Sequence, residues 1–164
     1  YCSIAAAFRD LRTGDTVRIR ESRRPYRVSV TSKQPGPITI EADAQHHPVL
    51  TTDASHTIMT LIDASQWTIR NLTFDGQRQE VRYAILVNAR SRHVYNINIK
   101  HNRFVNLGGF TGNLKKPMAV RFTASKWKKF KPDQNNYYVT DSTIANNVFD
   151  NCAHGGVLLS HTKH

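Results

Sequence analysis

The pattern of apolar and polar positions changes once along the chain, near residue 13. "SIAAAFRDLR" (3–12) puts Ile4, Ala7, Phe8 and Leu11 at i, i+3, i+4 and i+7, the spacing of one helix face, and Ser3 stands at the capping position. Gly14 in "TGD" (13–15) predicts the C-terminal stop. Beyond it the helical period disappears. "TVRIRE", "YRVSV", "ITIEA", "TIMTLID", "WTIRNLTF", "AILVNA", "HVYNINI", "MAVRF", "YYVTDSTI" and "GVLLS" are rich in β-branched and aromatic residues and are separated by Gly, Pro, Asn and Asp. No helical period stands between these segments. A βα alternation is therefore excluded, and an all-β chain of many short strands is predicted.

The strands repeat. "HNRFVN" (101–106) and "NNVFDN" (146–151) share Asn-x-Phe-x-Asn, with Asn102, Phe104 and Asn106 each 45 residues before Asn147, Phe149 and Asn151. On the same offset Val94 meets Val139, Asn98 meets Thr143 and Ile99 meets Ile144. An offset of 25 matches Leu72 with Ile97 and Phe74 with Ile99. A second apolar strand follows each of these, and "AILVNA", "AVRFTA" and "GVLLSH" align with Ile85, Val120 and Val157 as inward positions. The expected unit is strand, turn, strand over about 25 residues, lengthened to 45 by insertions near 108–117 and 125–136. A unit this small cannot bury its own face, but stacked units can, each strand lying about 4.8 Å above its equivalent. The pattern predicts a right-handed parallel β-helix with helix 3–12 as its cap, an internal ladder of Asn102 and Asn147, and a stack of Phe104 on Phe149. The competing arrangement is a β-sandwich in which the repeat is coincidental.

Composition adds a partner class. The 164 residues suffice for a single domain over 1–164 with its own core, and no apolar run approaches the ~20 residues of a membrane span. No membrane partner is expected. Lys and Arg number 23 against 12 Asp and Glu, a net charge of +11, which favours polyanionic partners through summed field and counterion release. Cys2 and Cys152 form no CxxC pair and lie far apart in the expected fold, so neither a zinc knuckle nor a disulfide is expected. The chain begins at Tyr1 and reads as a mature form or as the N-terminal part of a longer solenoid.

A family resemblance rests on the order of motifs in the first 110 residues. An amphipathic helix leads into "LRTGDTVRI" (11–19), then "GPITIEAD" (36–43), "PVL" (48–50) and "IDASQWTIRNLTFDG" (62–76). This order resembles right-handed parallel β-helix polysaccharide lyases of the alginate lyase and chondroitinase B type, a pectate-lyase-like solenoid. The resemblance implies a secreted or periplasmic protein that acts on an acidic, uronate-containing polysaccharide by β-elimination. Members of that group carry catalytic Lys and Arg and calcium-binding carboxylates in later coils. Here Glu occurs only at 21, 41 and 80 and no acidic cluster matches such a metal site, so no cofactor is expected unless a longer chain supplies a calcium site.

Eliminative cleavage needs a cation on the uronate carboxylate, a base for the C5 proton and a donor for the leaving oxygen, and Lys, Arg, His and Tyr can fill these roles without a metal. The expected alternation turns Lys100 and Arg103 outward, sets His101 at a turn, and turns Arg121 outward between Val120 and Phe122. These four are the candidate catalytic residues. "KWKKFK" offers Lys126, Lys128, Lys129 and Lys131 with Trp127 and Phe130, charge and ring faces together, and Lys115 and Lys116 occupy the other insertion. These eight are the candidate substrate-binding residues. The eight histidines, among them His46, His47, His154 and His161, show no metal-ligand spacing. "NLT" (71–73) is a glycosylation sequon inside an expected strand. The opposing functional reading is a non-catalytic β-helix adhesin or glycan-binding domain, able to oligomerise through an open C-terminal edge. Nucleic acid ranks third, because the charge permits it but no binding motif is present.

Overall fold

The computed structural model describes residues 3–52, 57–77, 81–108, 117–124, 137–153, 155–160 and 162. It is all-β with parallel sheets. The first sheet contains Thr16–Ile19, Ile38–Ala42, Trp67–Arg70, Ile97–Lys100 and Thr143–Ala145, hydrogen-bonded in that order. The second contains Tyr26–Arg27, Val49–Thr51, Thr73–Asp75, Arg103–Val105 and Val148–Asp150. The third contains Val30–Ser32, Thr57–Ile62, Tyr83–Ala89, Met118–Ala124 and Val157–Leu159. The chain visits the sheets in fixed rotation, and each circuit adds one strand to each sheet, parallel to the strand laid one circuit earlier. Val94–Tyr95 and Val139–Thr140 pair in a fourth, two-stranded ladder. This arrangement is compatible with a parallel β-helix. No helix among the described residues is long and apolar enough to cross a membrane.

Stacking sets the core. Ile40, Ile69 and Ile99 follow one another in register in the first sheet, all fully buried, as do Ile85 and Val120 in the third. The rings of Phe74, Phe104 and Phe149 lie one above the next at 5.2 and 5.1 Å with nearly parallel planes. Burial depends on having a neighbour. Phe74 and Phe104 are inaccessible to solvent, whereas Phe149 is 38% exposed and Leu159 50% exposed in the fifth circuit.

The corners are set by residues that tolerate a left-handed backbone. Asn71, His101 and Asn146, with φ of 59°, 56° and 55°, turn the chain from the first sheet to the second. Asn106 and Asn151, with φ of 54° and 52°, turn it away from the second. Asn96 and Asp141 split "HVYNINI" and "YYVTDSTI" into two strands each, and Asn71 splits "WTIRNLTF". At Gly76 the next circuit passes so close that a Cβ would stand 2.2 Å from the carbonyl oxygen of Asn106.

The expected ladder is present. Asn102 Oδ1 accepts from the backbone N–H of Leu72 (3.1 Å), and Asn102 Nδ2 donates to the carbonyl of Ile69 (2.9 Å). Asn147 Oδ1 accepts from the backbone N–H and the side chain of Asn102 (2.8 and 3.2 Å), and Asn147 Nδ2 donates to the carbonyl of Ile99 (2.8 Å). Outside it, Asn151 Nδ2 donates to Asn106 Oδ1 (2.9 Å) and Asn106 Nδ2 to Asp75 (3.2 Å).

Three expectations are corrected. The offset between the third and fourth circuits is 30 rather than 25, since Trp67 pairs with Ile97, Ile69 with Ile99 and Phe74 with Phe104. Matching Leu72 and Phe74 to Ile97 and Ile99 lays a second-sheet strand on a first-sheet one. The apolar alternation is alike on both, and only the corner at Asn71 separates them. The repeating unit holds three strands, and "HNRFVN" and "NNVFDN" are themselves the second-sheet strands. The helix runs Ile4–Arg9 with Ser3 Oγ accepting from the N–H of Ala6, and it ends at Asp10 rather than Gly14. Asp15 takes the N–H of Arg12 at 2.7 Å and Gly14, at φ 96°, donates to Pro37, so this segment forms a separate turn. Ile4, Ala7 and Phe8 are buried, the helix lies against Val30–Ser32, and Phe8 meets Trp67 at 6.2 Å.

Within the first sheet, Glu41 lies in register between Arg18 and Arg70 and bonds to both, at 3.1 and 2.6 Å. Burial pushes its carboxyl upward, but the bonds and charges of Arg70 and Arg18 outweigh this and hold it below the ordinary glutamate range. A depressed folded value stabilises the fold above the unfolded value, and that contribution is lost as pH falls through the folded one. The urea midpoint should therefore drop on the acid side, with Glu41→Gln showing a flatter acid limb. In the ladder, Asn102→Ala strands a buried donor and a buried acceptor and should cost roughly 2–4 kcal/mol. Asn147→Ala, on the less covered fifth circuit, should cost about 1–3 kcal/mol. Chemical denaturation of both variants measures the order.

Candidate functional site

Two groups of basic side chains face outward on different sheets. The first is on the third sheet. Its outward row runs Thr31, Thr60, Leu86, Arg121 and Leu158 in register, and Arg121 is the one charged member. Val120 and Phe122 on either side are buried, as the alternation predicts. The backbone N–H of Met118 bonds to the carbonyl of Arg82 at 2.8 Å, which brings the fourth circuit's strand alongside Arg82 and Tyr83. The Arg82 and Arg121 guanidinium carbons lie 5.1 and 5.3 Å from the centroid of the Tyr83 ring. Arg121 Nη1 also donates a hydrogen bond to Tyr83 Oη. Tyr83 is only 5% exposed.

The electrostatics of this cluster are unusual. The Nε atoms of Arg82 and Arg121 are both buried and neither has a hydrogen-bond partner. A buried unpaired donor costs about 1–3 kcal/mol, more when charged. Among the described residues neither arginine pairs with a carboxylate, unlike Arg18, Arg20, Arg70 and Arg103. Two half-buried arginines, each with an unpartnered Nε–H, beside a phenol suit an oxyanion, for which Arg offers a planar fork.

The second group lies at the corner between the first and second sheets. A groove of about 590 Å³ there is lined by His46, His47, His101, Arg103 and Asp43, together with Asn71 and Asn146. Lys100 ends the first-sheet strand just before it, in register with Arg70. Arg103 bonds Asp150 at 3.1 Å with both side chains more than half exposed, a weak pairing. Asp43 is held below the ordinary aspartate range, first by its bond from Arg20 and then by the N–H of Ala44. Among the described residues no group of three or more His, Cys, Asp or Glu is close enough to hold a metal ion.

The structure thus brings Lys100, His101 and Arg103 together and sets Arg121 apart from them on another sheet. The chain changes sheet between residues 103 and 121, and outward residues on different sheets point away from different faces. Lys115, Lys116, Lys126, Trp127, Lys128, Lys129, Phe130 and Lys131 lie outside the described residues, as do Cys2, His154 and His161. Cys152 carries a free, half-buried thiol. Sequence reasoning missed Arg82 and Tyr83. Their signal was the pair "RY" directly before the strand "AILVNA", which aligns with the Arg-bearing "AVRFTA". Comparison with protein-family models, with curated protein sequences and with solved structures gave no match.

Proposed function

We propose that the chain is a right-handed parallel β-helix, capped at its first circuit by the helix Ile4–Arg9, that binds and cleaves an acidic, uronate-containing polysaccharide. The rotation of the chain through three parallel sheets and the buried face of the helix support the fold reading. The functional reading rests chiefly on the Arg82–Tyr83–Arg121 cluster, with its two buried, unpartnered Nε–H donors. The net charge of +11 supports it, as does the order of the sequence. The segments carrying Lys115 and Lys116, and Lys126 to Lys131 with Trp127 and Phe130, precede and follow the strand Met118–Ala124 that holds Arg121.

In this reading the two guanidinium groups neutralise a uronate carboxylate, which makes the C5 proton removable. Tyr83 Oη carries that proton from C5 to the glycosidic oxygen at C4. The C5–H electron pair forms the C4–C5 double bond as the C4–O bond breaks, so atoms and charge balance without a co-reactant. Such a substrate belongs to a secreted or periplasmic protein. The uncovered apolar side chains of the fifth circuit, Val148, Phe149, Val157 and Leu159, are the edge through which copies would associate.

Binding to alginate or chondroitin sulfate should weaken steeply with salt, because charges are screened over ~8 Å in physiological salt. Arg82→Ala and Arg121→Ala should each lower affinity about tenfold, roughly 1.4 kcal/mol. Tyr83→Phe should retain binding within about twofold and lose the absorbance of the new double bond. Binding without that absorbance in the parent would reduce the reading to non-catalytic glycan recognition. Unchanged affinity in a folded Arg121→Ala variant would remove the site assignment.

A further inference from the structure

The hydrogen bonds at the corner between the first and second sheets all run the same way. The N–H of Leu72 is taken by Asn102 Oδ1, and the N–H of Asn102 by Asn147 Oδ1, each acceptor lying one circuit later. The amide of each Asn also reaches back one circuit, Asn102 to the carbonyl of Ile69 and Asn147 to that of Ile99. At the far end of the second-sheet strands, Asn106 Nδ2 donates to Asp75 and Asn151 Nδ2 donates to Asn106. Between these two rows stand the stacked rings of Phe74, Phe104 and Phe149. Each row is a series in which every circuit supplies what the next one needs.

All three series stop at the fifth circuit. Thr143–Ala145, Val148–Asp150 and Val157–Leu159 are the last strands of their sheets among the described residues. No acceptor among those residues stands over the N–H of Asn147. A hollow of about 790 Å³ opens on this face, with Ile144, Asn147, Phe149, Val157, Leu159 and Thr162 on its lining. Thr162 pairs in parallel with Val139, as Val139 pairs in parallel with Val94, so the backbone enters the next layer in the same register and direction. The face is therefore not merely apolar. It offers a donor at Asn147, a ring at Phe149 and an amide at Asn151, two residues apart each time.

We infer that this face is a docking site for an extended peptide segment carrying Asn-x-Phe-x-Asn, laid parallel to Thr143–Ala145 and Val148–Asp150 as one further layer. The inference rests on the reading of this edge as the place where copies would associate, and it names the chemistry and the direction that the edge selects. The first Asn of the segment takes the N–H of Asn147 and gives its own amide to the carbonyl of Ile144. The Phe lies on Phe149, and the second Asn donates to Asn151 Oδ1. Main-chain bonds to the strand edges supply affinity, and these three side chains supply specificity. A segment with the ring but without the first Asn would cover the N–H of Asn147 and leave it unpaired, which is costly. A seated segment also occupies the edge that copies would use, so the two compete.

The probe is a synthetic peptide of residues 142–151, "STIANNVFDN", because that sequence covers the equivalent face of the fourth circuit. The protein itself is left unchanged, so its folding is not in question. Calorimetric titration should show saturable binding at a single site. Asn147→Ala or Phe149→Ser made within the peptide should each weaken binding about tenfold, and a scrambled peptide of the same composition should not saturate. Hydrogen exchange of the isotope-labelled protein, followed by NMR, gives the second measurement. The N–H of Asn147 in the protein should exchange about tenfold more slowly with the parent peptide bound, and at its original rate with the Asn147→Ala peptide bound. Simple apolar docking would not make that distinction. Sedimentation of the protein alone reports the association of copies separately. Peptide binding to a chain that sediments as a monomer supports this inference and removes the association of copies, whereas association of copies without peptide binding does the reverse. Absence of peptide binding, equal binding of the scrambled peptide, or an Asn147 N–H left unprotected by the bound parent peptide overturns the inference.

Discussion

Asn102 ties its own circuit to the one on either side. It accepts from Leu72 and donates to Ile69 in the third, belongs to the fourth, and meets Asn147 in the fifth. The reason lies in the corner itself. Where the chain leaves one sheet for the next, the regular ladder of backbone bonds is interrupted, and a buried N–H or carbonyl without a partner is costly. A short side chain with one acceptor and two donors, turned inward at 1% exposure, repairs the interruption on both sides. The left-handed residue before it makes the two-residue corner possible. Two-residue corners keep successive circuits in register, and register is what lets Phe74, Phe104 and Phe149 stack.

The same dependence explains what could be read from the sequence. A residue that must lie above its equivalent tends to repeat, so Asn102 and Asn147, Phe104 and Phe149, and Ile99 and Ile144 announced their pairing through a constant offset of 45. One circuit earlier the announcement fails. Leu72 stands where the ladder would put Asn, and it contributes only its backbone N–H. With that mark missing, apolar alternation alone chose an offset five residues short of the true 30, because it cannot tell one sheet from another. The strands within the Asn-x-Phe-x-Asn segments were hidden for a related reason. Three residues between two Asn residues read as a turn until the neighbouring circuits are present to pair with them.

The candidate sites show the same limit at the level of side chains. Alternation about Val120 and Phe122 was enough to turn Arg121 outward, and about Ile99 and Phe104 enough to turn Lys100 and Arg103 outward. It could not say that these two directions belong to different faces. Nor could it join Arg121 to Arg82 and Tyr83, which come within reach because Met118 pairs with Tyr83 across the third sheet. His46 and His47 were legible only as a dipeptide before a proline, and the corner lengths of four circuits bring them to the same groove as His101.

Both sites draw on the fourth circuit, and the stacking of the structure supplies a reason. A circuit's stability comes from the faces it shares with its neighbours more than from within itself. The fourth circuit has a full neighbour on each side, and its inward residues Ile97, Ile99, Phe104 and Val120 are completely buried. Among the described residues the fifth pairs with the fourth alone, and Phe149, Val157 and Leu159 are partly open. Two buried, unpartnered Nε–H groups beside Tyr83 and a histidine at a left-handed corner each work against the fold. Such costs are best borne where the surrounding packing over-determines the backbone. Arg121 has Val120 and Phe122 anchored in the core on either side of it, and His101 precedes the Asn that ties three circuits together. The candidate residues Arg121 and His101 are thus carried by a circuit whose inward side chains are buried on both sides.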